Sequence, residues 1–138
     1  MILACDPGVH ACGLAWFNNG VLAAARYVKT EDLFRYVFPG HADCLYLERQ
    51  YLPKKHPRPM DIVNLSFAAG HVRGLVRDTP VTEYQPMTWK GNVPKPIMMR
   101  RILSILSKDE VARIERVGHK DHNTIDAVGI GLFALGRL

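Results

Sequence analysis

Apolar residues fall in short blocks along this chain, divided by clusters of Gly, Pro and Asn. Met1 to Cys5 is a first apolar run, stopped by the turn signal Asp6-Pro7-Gly8. A second run, Ala11 to Phe17, passes through Asn18-Asn19-Gly20 into Val21 to Val28. Asn-Gly takes up positive φ at little cost, so this segment predicts a tight hairpin and three antiparallel strands at the start. Thr30 is placed to cap a helix with Glu31 and Asp32 in its first turn, ending before Pro39-Gly40. Cys44 to Gln50 reads as a mostly buried strand that, after a helical crossover, lies parallel to the first.

Leu52 to Pro59 is a loop rich in proline and basic residues. Met60 to Arg77 has apolar residues at helical spacing, weakened by Gly70 and Gly74, which suit close packing against a neighbouring helix or subunit. Val81 to Tyr84 is a short strand and Thr88 to Lys95 a loop; a helix begins at Pro96. Ser107-x-x-Glu110 is a capping box for the next helix, and Asn123 to Leu138 is a final apolar one. The order β-β-β-α-β-α-β-α-α-α predicts an α/β fold, a mixed sheet flanked by helices. With no repeats and no linker, residues 1–138 are expected to form one domain.

Composition narrows the class. A 48% apolar and 22% charged chain is not disordered. Ile125 to Leu135 is too short to span a bilayer and contains Asp126, and the opening Met-Ile-Leu-Ala-Cys-Asp lacks the features of a signal peptide. The expectation is a soluble cytoplasmic protein with no membrane partner. Cys5, Cys12 and Cys44 form no C-x-x-C pair and read as small buried hydrophobes. The net charge of +5 suits a polyanionic partner without identifying one.

Three acids stand in apolar surroundings: Asp6 at the end of a strand, Glu48 within a strand expected to be central, and Asp126 in the most apolar helix. A buried carboxylate must be paired, protonated or metal-bound. Each has a plain structural alternative: Asp6 a turn residue, Glu48 the partner of an Arg, Asp126 a helix cap. If the Asp6 and Glu48 strands are adjacent, their backbones lie about 4.8 Å apart and the two side chains can share a divalent cation, with Asp126 completing the site. Oxygen ligands favour Mg²⁺ or Mn²⁺, and two such ions suit phosphodiester hydrolysis.

These residues carry a resemblance. Ile2-Leu3-Ala4-Cys5-Asp6-Pro7-Gly8 with Cys12-Gly13-Leu14-Ala15, then Leu47-Glu48-Arg49-Gln50-Tyr51, then Asp126-Ala127-Val128-Gly129-Ile130-Gly131-Leu132 resemble, in order, motifs of the RuvC-type Holliday-junction resolvases of the RNase H-like (retroviral-integrase) superfamily. Pro86-Met87-Thr88-Trp89-Lys90 is similar to that family's basic stretch after the fifth strand. The resemblance implies a five-stranded mixed sheet, a homodimer, and Mg²⁺-dependent paired nicking of four-way DNA junctions by two ions per site. The compact length is more like that of a phage-encoded member, which would work in the host cytoplasm. The family usually has an acid or a histidine three residues before the final aspartate; here Asn123 stands there, preceded by Asp121 and His122. The implied catalytic set is Asp6, Glu48, Asn123, Asp126 and His122, with the first four as metal ligands. Asn123 is either native, with water or His122 substituting for the acid, or an inactivating change. Zinc at His119 and His122 is disfavoured for want of a nearby thiolate.

Lys54, Lys55 and Arg58 follow Glu48 closely and are candidates for phosphate contact, with Tyr51 where the family has an aromatic that stacks on bases. Trp89 is either a stacking face or buried, Lys90 and Lys95 are candidate phosphate contacts, and Arg100 and Arg101 either extend that track or form a solvated face. Rival readings are an RNase H-like nuclease on other branched DNA or RNA–DNA hybrids, and an inactive junction-binding module. A sugar-kinase or actin-like ATPase needs two such domains and fails on length.

Overall fold

The computed structural model describes residues 1–49, 59–118 and 121–138. Five strands form one mixed sheet: β1 (Ile2–Asp6), β2 (Ala11–Asn18), β3 (Val21–Lys29), β4 (Cys44–Glu48) and β5 (Val81–Tyr84), in the order β3-β2-β1-β4-β5. The first three are antiparallel neighbours; β1–β4 and β4–β5 are parallel. Asn19 and Gly20 turn the β2–β3 hairpin with φ of 48° and 79°, the positive pair that a two-residue turn demands.

Strand alternation separates two cores. Leu3, Cys5, Leu45 and Leu47 face α1 (Pro59–Leu75), where Ala68 and Val72 cover them. Ala4, Ala15 and Phe17 face the opposite way, onto α3 (Lys95–Ile105) and α5 (Asp121–Ala134). A short helix α2 (Pro86–Trp89) and α4 (Lys108–Ala112) complete the described α-helices.

Some boundaries differ from the sequence expectation. Thr30 does not cap an α-helix: a 3-10 helix, Thr30–Arg35, follows β3, and the Thr30 hydroxyl donates to the Gly8 carbonyl at 2.9 Å. The segment expected as loop from Thr88 overlaps the one-turn α2, which Pro86 starts. The last helix ends at Ala134 because Gly136 takes a φ of +67°, letting Arg137 N–H reach the Leu132 carbonyl at 2.8 Å. Among the described residues, neither Gly70 nor Gly74 meets another part of the fold: a Cβ at either would find none of them within 4 Å. Among the described residues, no helix is long and apolar enough to cross a membrane.

Two contacts fix the frame around the site. Gly13 on β2 lies against the start of α5 so closely that a Cβ there would sit 1.8 Å from the Asn123 carbonyl oxygen and 2.7 Å from Thr124 N. At the other end, Glu110 closes the capping box with Ser107, accepts from Leu22 N–H at 2.9 Å, and takes two bonds from the Arg137 guanidinium at 2.8 and 3.1 Å.

Gly13→Ala should therefore cost about 3 kcal/mol, since the clashing atoms are backbone and cannot swing away; thermal unfolding checks this, and a melting temperature near wild type would refute the close approach. The Arg137 side chain, then burial working against it, then the Leu22 and Ser107 amides set the Glu110 carboxyl, held down at about 2. A folded-state value below the unfolded one means the stabilisation is present above about pH 4.3 and is lost as pH falls towards 2. Glu110→Gln should lower stability by about 2 kcal/mol at pH 7, allowing for solvent around Arg137, and by much less at pH 2. Urea denaturation at both pH values tests the difference.

Candidate functional site

Parity and register bring the first two acids together. β1 pairs with β4 from Ile2↔Cys44 to Cys5↔Leu47, and the same offset carries Asp6 beside Glu48. Ala4 and Tyr46, two residues earlier on each strand, belong to the core under α5, so Asp6 and Glu48 share that face. Asp126, in the second turn of α5, approaches from above through the close contact at Gly13. All three are buried, at 6%, 4% and 6% exposure. Asp126 is therefore not the cap of its helix, and Arg49, next to Glu48 in the chain, pairs with Glu83 at 3.5 Å.

Burial pushes the Asp6 carboxyl well above the usual carboxylate range, and the charges of Glu48 and Asp126 push it further, while Lys90 pulls it down. Burial also raises Asp126, against the pull of Lys90 and Lys95. The compensating charge comes from Lys90, whose Nζ lies 3.2 Å from Glu48 Oε2 and 3.5 Å from Asp126 Oδ2. Burial works against this ammonium, but Asp126, Glu48 and Asp6 outweigh it and hold Lys90 above its ordinary value. Trp89, expected as either a stacking face or a buried ring, is 4% exposed and donates its indole N–H to Glu48 Oε2 at 2.9 Å. Its ring is not offered to solvent.

A cleft of about 490 Å³ opens over the acids, lined among others by Asp6, Gly8, Glu48, Lys95, His122, Asn123 and Asp126. Asn123 donates its amide N–H to the Ala11 carbonyl at 2.7 Å. A carboxylate at this position has no proton to give and would face that carbonyl repulsively, so the amide has a structural task of its own. His122 is half-buried at the cleft and Lys95 exposed at its edge, while Arg100 and Arg101 are exposed along α3. Tyr51, Lys54, Lys55, Arg58 and His119 lie outside the described residues.

Hard oxygen donors converge here, three carboxylates and the Asn123 amide, and their chemistry fits Mg²⁺ or Mn²⁺. Among the described residues, no three His, Cys, Asp or Glu side chains stand arranged to hold a metal as they are. The Lys90 ammonium lies between two of the carboxylates instead. Sequence reasoning singled out the acids by their apolar neighbours, but it missed this role of Lys90 and the indole bond of Trp89. A basic residue after a strand carries no mark of whether it turns outward or back. His10 and Tyr27 also line the cleft, and no sequence signal set them apart.

No family model matches the chain, and no curated protein sequence matches it. Solved structures do. Thermus thermophilus RuvC in complex with a Holliday junction substrate matches with a TM-score of 0.68 at 18% identity, over 95% of this chain and 90% of that one. A second Thermus thermophilus RuvC structure matches with a TM-score of 0.61 at 16% identity, over the same shares. The five-stranded mixed sheet with its flanking helices is the RNase H-like fold of RuvC.

Proposed function

We propose that this chain is a metal-dependent DNA endonuclease that resolves four-way junctions by paired, symmetrical nicks. The observation that carries the reading is the trio Asp6, Glu48 and Asp126, buried together under one cleft in a fold shared with a RuvC solved on a Holliday junction. A site of this kind has no use for packing: three carboxylates crowded into a core destabilise it unless a cation is to be held there.

The three carboxylates are the ligand set for Mg²⁺ or Mn²⁺, two ions per site, with the Asn123 amide oxygen and His122 next to them at the cleft. What such ions supply when bound is an activated water and charge stabilisation at the leaving oxygen of the phosphodiester. The chain's own residues do the rest. Trp89 holds Glu48 by its N–H, and Gly13 lets α5 bring Asp126 down onto the sheet. Lys95, at the edge of the cleft, is positioned to meet a phosphate. The +5 charge favours a polyanion, and Tyr51, Lys54, Lys55 and Arg58 extend the proposed DNA surface on sequence grounds.

A four-way junction has two-fold symmetry, so paired cuts call for two active sites in one particle. Met60, Val63, Phe67, Gly70 and Gly74 recur on α1 at alternating steps of three and four, the spacing of a helix–helix seam. The three large ones are 64%, 44% and 72% exposed, and among the described residues none meets a Cβ at either glycine. This supports a homodimer through α1, the glycines allowing close approach.

Two outcomes test the proposal. Purified protein with Mg²⁺ should cut a labelled four-way junction at paired sites and leave duplex and RNA–DNA hybrid intact; Asp126→Asn should lose cleavage by at least about a thousandfold while still binding the junction, because affinity comes from phosphate contacts. Cutting by Asp126→Asn at near wild-type rate would remove Asp126 from the site. Phe67→Glu should give a monomer by light scattering and unpaired single nicks. A Phe67→Glu dimer would place the interface elsewhere.

A further inference from the structure

Carboxylates buried together repel one another, and a fold that keeps them so needs a counter-charge even before any metal arrives. Lys90 is placed to provide it. Its ammonium lies 3.2 Å from Glu48 Oε2, 3.5 Å from Asp126 Oδ2, and 4.7 Å from the centroid of the Trp89 ring, so an aromatic face closes a third side. The backbone beneath it is pinned: Lys90 N–H donates to the Pro86 carbonyl at 3.0 Å, and its own carbonyl accepts from Val93 N–H at 3.3 Å. The Glu48 and Asp126 side chains are 5% and 9% exposed, whereas that of Lys90 keeps 26%. It is a flexible arm on a fixed base, with solvent at hand.

The geometry points to Lys90 as a tethered counter-cation that holds the carboxylate cluster together in the metal-free protein and is displaced from Glu48 and Asp126 when a divalent ion binds. This rests on the metal-dependent reading above. An ammonium bridging two carboxylates occupies oxygens that a hard ion needs, and two cations crowded onto the same oxygens repel. Trp89, bonded to Glu48 Oε2 at 2.9 Å, keeps that carboxylate from turning away when the ammonium withdraws. Metal loading is then a competition between a tethered cation and a free one. The metal-free site stays assembled, and its affinity for the ion is lower than the carboxylates alone would give.

Two measurements test this. In calorimetric titration of Mg²⁺ into chelator-treated protein, Lys90→Met should bind the first ion with a Kd about tenfold lower than wild type, a difference of about 1.4 kcal/mol. Its metal-free melting temperature should fall, and Lys90→Arg, which keeps the charge, should bind close to wild type. Equal or weaker Mg²⁺ binding by Lys90→Met would overturn the inference, as would equal tightening in Lys90→Arg. The second measurement uses the unaltered protein and does not depend on a variant folding. Reductive methylation of amines, read by mass spectrometry, should label Lys90 faster in saturating Mg²⁺ than in its absence. Unchanged labelling while calorimetry records Mg²⁺ binding would overturn the role of Lys90 alone; no Mg²⁺ binding by wild type would overturn the metal-dependent reading and this inference with it.

Discussion

The whole arrangement turns on the mutual repulsion of three carboxylates kept out of water. Asp6 and Glu48 cannot avoid each other, because strand register sets them side by side on one face of the sheet. Asp126 joins them only because glycines let a helix lie unusually low on the strands: Gly13 beneath Asn123, and Gly131, where a Cβ would meet the Phe17 ring at 2.1 Å. Remove the close approach and the repulsion is relieved, but so is the site. The acids, the glycines and the lysine that follows β5 in the chain are therefore one structural problem and its solution.

Much of this was legible in the chain itself. Short apolar runs marked the strands at Ile2–Asp6 and Cys44–Glu48, and Asn19-Gly20 marked the hairpin, because local chemistry decides both. The capping box at Ser107 and Glu110 was readable for the same reason, although its third partner, Arg137, was not: that contact joins residues 27 apart, and no local pattern encodes it. The crossover after β3 was read as a longer helix than the 3-10 turn that forms. Thr30, which looked like a cap, spends its hydroxyl on the Gly8 carbonyl across the loop.

The candidate site divides in the same way. An acid among apolar residues is conspicuous in one dimension, so Asp6, Glu48 and Asp126 were identifiable before any fold was known. The groups that answer those acids were not. Lys90 and Trp89 lie in a polar, proline-flanked stretch where solvent exposure is the ordinary expectation, and their inward direction is set by α2 packing under α5, with Trp89 against Gly129. Counter-charges are tertiary facts.

The pleat of β1 also sorts donor atoms by softness. Cys5 and Asp6 are adjacent in sequence, yet the thiol points into the core under α1, with Cys12 beside it, while the carboxylate faces α5. A chain only one residue out of phase would mix sulfur with oxygen at the cleft and invite thiophilic ions such as zinc or copper. The two-residue repeat of the strand thus keeps nucleophilic sulfur and hard oxygen on opposite sides of a single peptide layer, so that discrimination among metals begins in the backbone rather than in the shape of the cleft.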